Sequence, residues 1–77
     1  MMLPPQQHMV LSYIREYWQD NKRPPIVKEI AGKMGKSPAT IRHHIQALEQ
    51  KGMVTRIPMM RRSLCLTDHA KSMFHNG

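Results

Sequence analysis

The stretch GKSPATIRHHIQALEQKGMV, residues 35–54, decides the fold. Ser37 is a good helix N-cap, since its hydroxyl can accept from an unpaired N–H of the first turn. Pro38 suits the first helical position, where its missing N–H costs nothing. Gly52 closes the segment, as a residue free to take positive φ commonly does. These caps predict a helix from Pro38 to about Gln50. At about 100° per residue, Ile41, Ile45 and Leu48 fall within about 60° of one another and face a core. The opposite side then carries Ala39, His43, Gln46 and Gln50, with Thr40 and Ala47 on one shoulder and Arg42 on the other. His44 sits at the edge of the apolar stripe. The outward residues are short or hydrogen-bonding, and none is acidic.

Working outward, Gly35 ends a shorter helix over about 27–34, where Val27, Ile30, Ala31 and Met34 repeat the helical spacing. Before it, DNKRPP (20–25) stops a first helix at about 5–20, whose apolar stripe is Val10, Tyr13, Ile14 and Tyr17. After Gly52, MVTRI (53–57) and SLCLT (63–67) predict two short antiparallel strands joined by the basic loop PMMRR. Thr67 caps a last short helix, DHAKSMF. The fold class expected is mainly α with a small β-hairpin: a winged helix-turn-helix of three helices, a two-stranded antiparallel wing and a short C-terminal helix. Seventy-seven residues make it one domain, 1–77.

Charge narrows the function. Twelve Lys and Arg against five Asp and Glu give a net charge of +7. Such a surplus on a small chain favours a polyanionic partner, most often nucleic acid, although a merely solvated basic surface gives the same total. Its distribution favours the former. Seven basic residues and one acid, Glu49, lie between Lys33 and Arg62, whereas Arg15 alone stands against Glu16 and Asp20 before Lys22. Cys65 is the only cysteine, so no disulfide forms within the chain, in keeping with a reducing cytoplasm. MMLPPQQHMV has no basic region followed by an apolar run, and no apolar stretch approaches the roughly 20 residues that span a bilayer. A cytoplasmic protein with no membrane partner is expected.

Two helices around a tight Gly turn place the second in the major groove while the first crosses the backbone. There Arg42 would read guanine, Gln46 adenine, and Thr40 or Ala39 a thymine methyl, with His43 beside them. Ser37 and the free N–H groups that start the helix would grip a phosphate. At the hairpin, Arg61 and Arg62 would reach phosphates or the minor groove, with Arg56 alongside on the first strand. The bland alternative is an ordinary solvated helix face and hairpin tip.

Other chemistry finds no support. His8, His43, His44, His69, His75 and Cys65 show no zinc-finger or H-x-x-x-H spacing, so no metal and no cofactor are expected. Five scattered carboxylates, no Gly-rich phosphate loop, and Ser63 and Lys71 without a scaffold do not make an enzyme. No small-molecule substrate is evident. Met34 and Met53 read as core, Met59 and Met60 as partner contacts at the wing, and Tyr13, Tyr17 and Trp18 as packing for the first helix.

LPPQQHMVLSYIREYWQDNKRPPIVKEIAGKMGKSPATIRHHIQALEQKGMVTR resembles the N-terminal winged helix-turn-helix of LexA-type repressors. Its most specific parts are Gln6-Gln7, Pro24-Pro25 with EIA at 29–31, and TIRHHIQALEQKGMV at 40–54. The resemblance implies that Ser37, Ala39, Thr40, Arg42, His43 and Gln46 face the groove, with the wing at about Met59 to Arg62 and LCLT as its closing strand. Three departures stand out. Pro4 and Ile26 stand where the family caps its first two helices with Ser or Thr, a loss of roughly 1 kcal/mol each. Glu29 retains half of a capping box. The turn before the third helix is one residue shorter than usual, and the family's C-terminal self-cleaving protease domain has no counterpart here. Damage-triggered cleavage and the dimer interface of that domain are therefore not implied.

The expectation is a small transcriptional regulator, a repressor by resemblance, that binds double-stranded DNA sequence-specifically. A homodimer on DNA would supply two half-sites, with helix 1 and the C-terminal DHAKSMFHNG as candidate interfaces. The alternatives are a winged-helix protein-interaction module and a replication or excision accessory protein.

Overall fold

The computed structural model describes residues 2–74. Its elements are α1 (Pro5–Asn21), α2 (Val27–Met34), α3 (Pro38–Gln50), β1 (Val54–Thr55), β2 (Cys65–Leu66) and α4 (Asp68–Met73). The order matches the expected one, and the bounds of α2 and α3 coincide with it. Capping explains why. Ser37 Oγ accepts from the Thr40 N–H at 3.2 Å. Gly35 takes φ 65° after α2, and the N–H of Lys36 donates to Ala31 O at 3.1 Å. Gly52, at φ 73°, turns the chain out of α3, while the N–H of Met53 reaches back to Leu48 O at 2.9 Å. That pairing consumes carbonyls the helix would otherwise leave unsatisfied.

α1 and α2 start without a side-chain cap, because Pro4 and Ile26 have no oxygen to offer. At α2 the deficit is halved by Glu29, whose Oε1 accepts the Ile26 N–H at 2.9 Å. α1 ends on Lys22, a non-glycine residue held at φ 58°. The three long helices bury Val10, Leu11, Ile14, Ile30, Ile41, Ile45 and Leu48, joined by Met53 and Val54 from the wing base. Full burial of each large aliphatic chain stabilises by about 1.5–3 kcal/mol. Met34 packs on the rim, as do Tyr13 and Trp18; the Trp18 indole N–H donates to Leu64 O at 2.8 Å. Lys51 Nζ ties the end of α3 to Gln7 near the start of α1 at 2.6 Å. α4 tucks Ala70 into the core, capped by Thr67, and Phe74 lies under the Arg15 guanidinium at 4.8 Å. Of the candidate C-terminal interface, residues 75–77 lie outside the described residues, including His75.

The wing ladder is shorter than MVTRI and SLCLT suggest. Only Val54↔Leu66 and Thr55↔Cys65 pair. Beyond Thr55 the ladder is replaced by side chains. Arg56 leans to Glu49 at 3.2 Å, and the N–H of Ile57 donates to Ser63 Oγ at 2.8 Å. Pro58 has no N–H to donate.

Tyr17 departs from its expected role in the apolar stripe. Its hydroxyl donates to Glu29 Oε2 at 3.1 Å, and Arg62 forks onto the same carboxylate, Nη1 to Oε1 at 3.0 Å and Nη2 to Oε2 at 2.9 Å. Arg62 Nη1 also donates to Pro24 O at 3.0 Å. One carboxylate thus joins α1, the start of α2 and the wing. Hydrogen bonds from Arg62 outweigh partial burial and, with those from the Ile26 N–H and Tyr17, lower the Glu29 pKa from 4.5 to about 2.

A carboxylate depressed in the folded state stabilises fully above its unfolded pKa and loses that contribution as pH falls through the folded one. The window here runs from 4.5 down to about 2. Thermal melts across it should fall more steeply for the wild-type chain than for Glu29→Gln. Parallel curves would show that the carboxylate does not carry this linkage.

Candidate nucleic-acid interface

The outward side of α3 is exposed along its length: Ser37, Ala39, Thr40, Arg42, His43 and Gln46 all face solvent. The apolar side is buried by Ile41, Ile45 and Leu48, which fixes the rotation of the helix and so the direction of this face. His44 is half-buried at the margin, and its Nδ1 is a buried nitrogen with no partner among the described residues. The His43 ring stands edge-on to it, with centroids 6.3 Å apart and planes at 62°. No group of three or more His, Cys, Asp or Glu that could hold a metal occurs among the described residues. Cys65 is a half-buried free thiol on β2.

The first turn of α3 offers less to an anion than its sequence suggests. Pro38 has no N–H, Thr40 gives its N–H to Ser37 Oγ, and Ile41 donates to Ser37 O at 3.1 Å. Ala39 retains the one N–H of that turn without an acceptor among the described residues. The Ser37 and Thr40 hydroxyls are 3.0 Å apart and exposed, so they present a joined pair of hydrogen-bonding groups beside it.

Between the start of α2, α3 and the hairpin lies an open concavity of about 620 Å³. Lys28, Arg42, Arg56 and Arg61 line it, and no carboxylate does. Three elements thus converge four cations on one hollow, whose field adds along its axis. Arg56 lies just beyond β1 rather than on it. Its Nε meets both oxygens of Glu49 at 3.2 Å, which holds the side chain across the end of α3. Sequence reasoning did not single out Lys28. It is the second residue of α2, on the turn that faces α3, and counting exposed cations on both helices would have found it.

Arg62 is not grouped with Arg61. Arg61 is exposed at the hairpin, whereas Arg62 turns back onto the body and spends its guanidinium on Glu29 and Pro24. The expected pair of wing-tip arginines is therefore a single outward one, Arg61, because the Glu29 carboxylate offers Arg62 a bidentate partner in a half-buried setting. Exposed Met59 and Met60 line the hollow beside it. No helix among the described residues is long and apolar enough to cross a membrane.

Comparison with known proteins follows the same lines. The family described as LexA DNA binding domain matches residues 1–63. The LexA repressor of Carboxydothermus hydrogenoformans is 38% identical over 64 residues, covering 82% of this chain and 31% of that protein. That of Sorangium cellulosum is 40% identical over 63 residues, covering 80% and 27%, and that of Anaeromyxobacter sp. 34% over 76 residues, covering 97% and 33%. The chain spans about a third of the length of the curated relatives it matches.

The two adjacent arginines should separate in thermal denaturation. Arg62→Ala, which removes the hydrogen bonds to both Glu29 oxygens, Pro24 O and the Tyr17 hydroxyl, lowers the melting midpoint; Arg61→Ala leaves it where it was. Ser37→Ala should destabilise the fold by about 1 kcal/mol, since the Thr40 N–H then loses its cap. Equal midpoints for the two arginine variants would mean that the Glu29 fork contributes nothing.

Proposed function

The chain belongs to the LexA DNA binding domain family, and from that premise we propose that it binds double-stranded DNA sequence-specifically as a small, non-enzymatic transcriptional repressor. In this reading α3 enters the major groove with Ala39, Thr40, Arg42, His43 and Gln46 against the base edges. Ser37 and the N–H of Ala39 meet a phosphate, and Arg56 and Arg61 flank the backbone. Arg62 acts at one remove, holding the wing to α2.

The observation that carries this is the four-cation hollow beside an acid-free, fully exposed helix face. Arg and Gln have the bidentate geometry that distinguishes guanine and adenine in the major groove, while cations from other elements supply phosphate contacts. One such module covers a half-site, so a homodimer in the cytoplasm, bound across two half-sites, completes the proposal.

Fluorescence anisotropy with a random duplex of about 25 base pairs, repeated across a salt series, tests the phosphate term; a log–log slope of several units is expected. On a duplex selected from a random pool, Arg42→Ala and Gln46→Ala should each lose about 1–3 kcal/mol of base discrimination. Arg61→Ala should weaken binding to every sequence alike and flatten the slope. Salt-insensitive, negligible DNA binding would defeat the proposal, and unchanged site preference in the α3 variants would defeat its mechanism.

A further inference from the structure

The hairpin tip concentrates what a water-soluble surface avoids. Ile57 is 56% exposed, Met60 54% and Met59 fully so, and these three outnumber the large exposed apolar residues of the rest of the described chain, Met2 and Met9. The tip is also stiff. The Met60 N–H closes a four-residue turn onto Ile57 O at 3.1 Å, with Pro58 second and Met59 third at φ 70°, as in a type II turn. From inside, the buried Ser63 hydroxyl accepts the Ile57 N–H at 2.8 Å and lies 3.0 Å from Met60 O. A glycine would take the Met59 conformation freely. A methionine is held there instead, with its side chain wholly in solvent. The turn cannot fold its apolar residues back onto the core without breaking these bonds.

Its surroundings say what it fits. Arg61 follows it directly, Arg56 and Arg42 face it across the hollow, and no carboxylate lines that hollow. A cluster of cations around an apolar point, of which only Arg56 has a carboxylate partner among the described residues, Glu49, suits a polyanion that also offers an apolar slot. The minor groove is such a surface, with phosphates on both rims and stacked bases between. The tip also shares its hollow with Pro38 and Arg42 of α3. With α3 in the major groove, the tip addresses the neighbouring minor groove.

Resting on the DNA-binding reading above, we infer that Met59 and Met60 form an apolar wedge that enters the minor groove, parts a base step and kinks the duplex. Methionine is suited to this: unbranched, flexible and polarisable, it conforms to a partly unstacked step. Pyrimidine–purine steps unstack most readily and A-tracts least. The wedge therefore adds a preference for a deformable step at a fixed distance from the bases read by α3.

The test uses the intact chain and a duplex selected by it from a random pool, carrying end dyes for energy transfer and 2-aminopurine at successive positions. Wild-type binding should brighten 2-aminopurine at one step and shorten the end-to-end distance. It should also favour a TA step over an A-tract there by about tenfold. Met59→Gly with Met60→Ala keeps the turn foldable, as its melting midpoint will show. It should lose the brightening, the shortening and the tenfold preference, while a remaining salt slope reports that cations still engage the duplex. A double variant that kinks the duplex like wild type, or a wild type that brightens no step, overturns the wedge and leaves the DNA-binding reading standing. Absence of salt-dependent binding by the wild type overturns both and assigns the tip to a protein partner.

Discussion

The carboxylate of Glu29 is the point on which the arrangement of the site depends. It caps α2 through the Ile26 N–H, takes the Tyr17 hydroxyl from α1 and receives both arms of Arg62 from the far side of the wing. Pro24 O accepts the same guanidinium, so the α1–α2 connection is tied in as well. Isolated surface ion pairs contribute little, because water screens them and two long chains must be ordered. This one is bidentate, half-buried and part of a network, conditions under which ordering one group orders the rest. Its structural result is to set the distance between α2 and the hairpin, and with it the mouth of the basic hollow.

The remainder of the molecule shows how a small domain compensates for a limited core. Apolar burial is supplemented by polar ties between elements distant in sequence: Trp18 to Leu64, Lys51 to Gln7, Thr67 to Gly52 O at 2.6 Å. The first two are part-buried, so each satisfies polar groups to which packing limits the access of water. The lack of an N-cap side-chain oxygen at the starts of α1 and α2 is tolerated because packing of Val10, Leu11, Ile14 and Ile30 decides those helices.

Local chemistry made much of this legible. Ser37, Pro38, Gly35 and Gly52 each act within a few residues of themselves, so the limits of α2 and α3 could be read from the chain. The outward face of α3 followed from the positions of Ile41, Ile45 and Leu48 alone. What could not be read depends on partners remote in sequence. Arg61 and Arg62 are chemically identical neighbours, and only the spatial arrival of Glu29, 33 positions from Arg62, separates them. Tyr17 fitted an apolar stripe until the same carboxylate claimed its hydroxyl. The strand lengths were overstated because Ser63 and Glu49 intercept groups that β propensity assigns to a ladder.

The junction between α3 and the wing has a mechanical consequence. Gly52 turns the chain, Met53 bonds back to Leu48, Val54 is already in the ladder, and Thr67, just after the return strand, bonds across to Gly52. No free residue remains between helix and hairpin to serve as a hinge. Helix face and hairpin tip are consequently the two jaws of a calliper set at one opening. On the proposed reading, a duplex seats between them only when its local twist brings the two grooves to that spacing. Adjustment then falls to the torsion of the DNA, and supercoiling becomes a variable the protein feels.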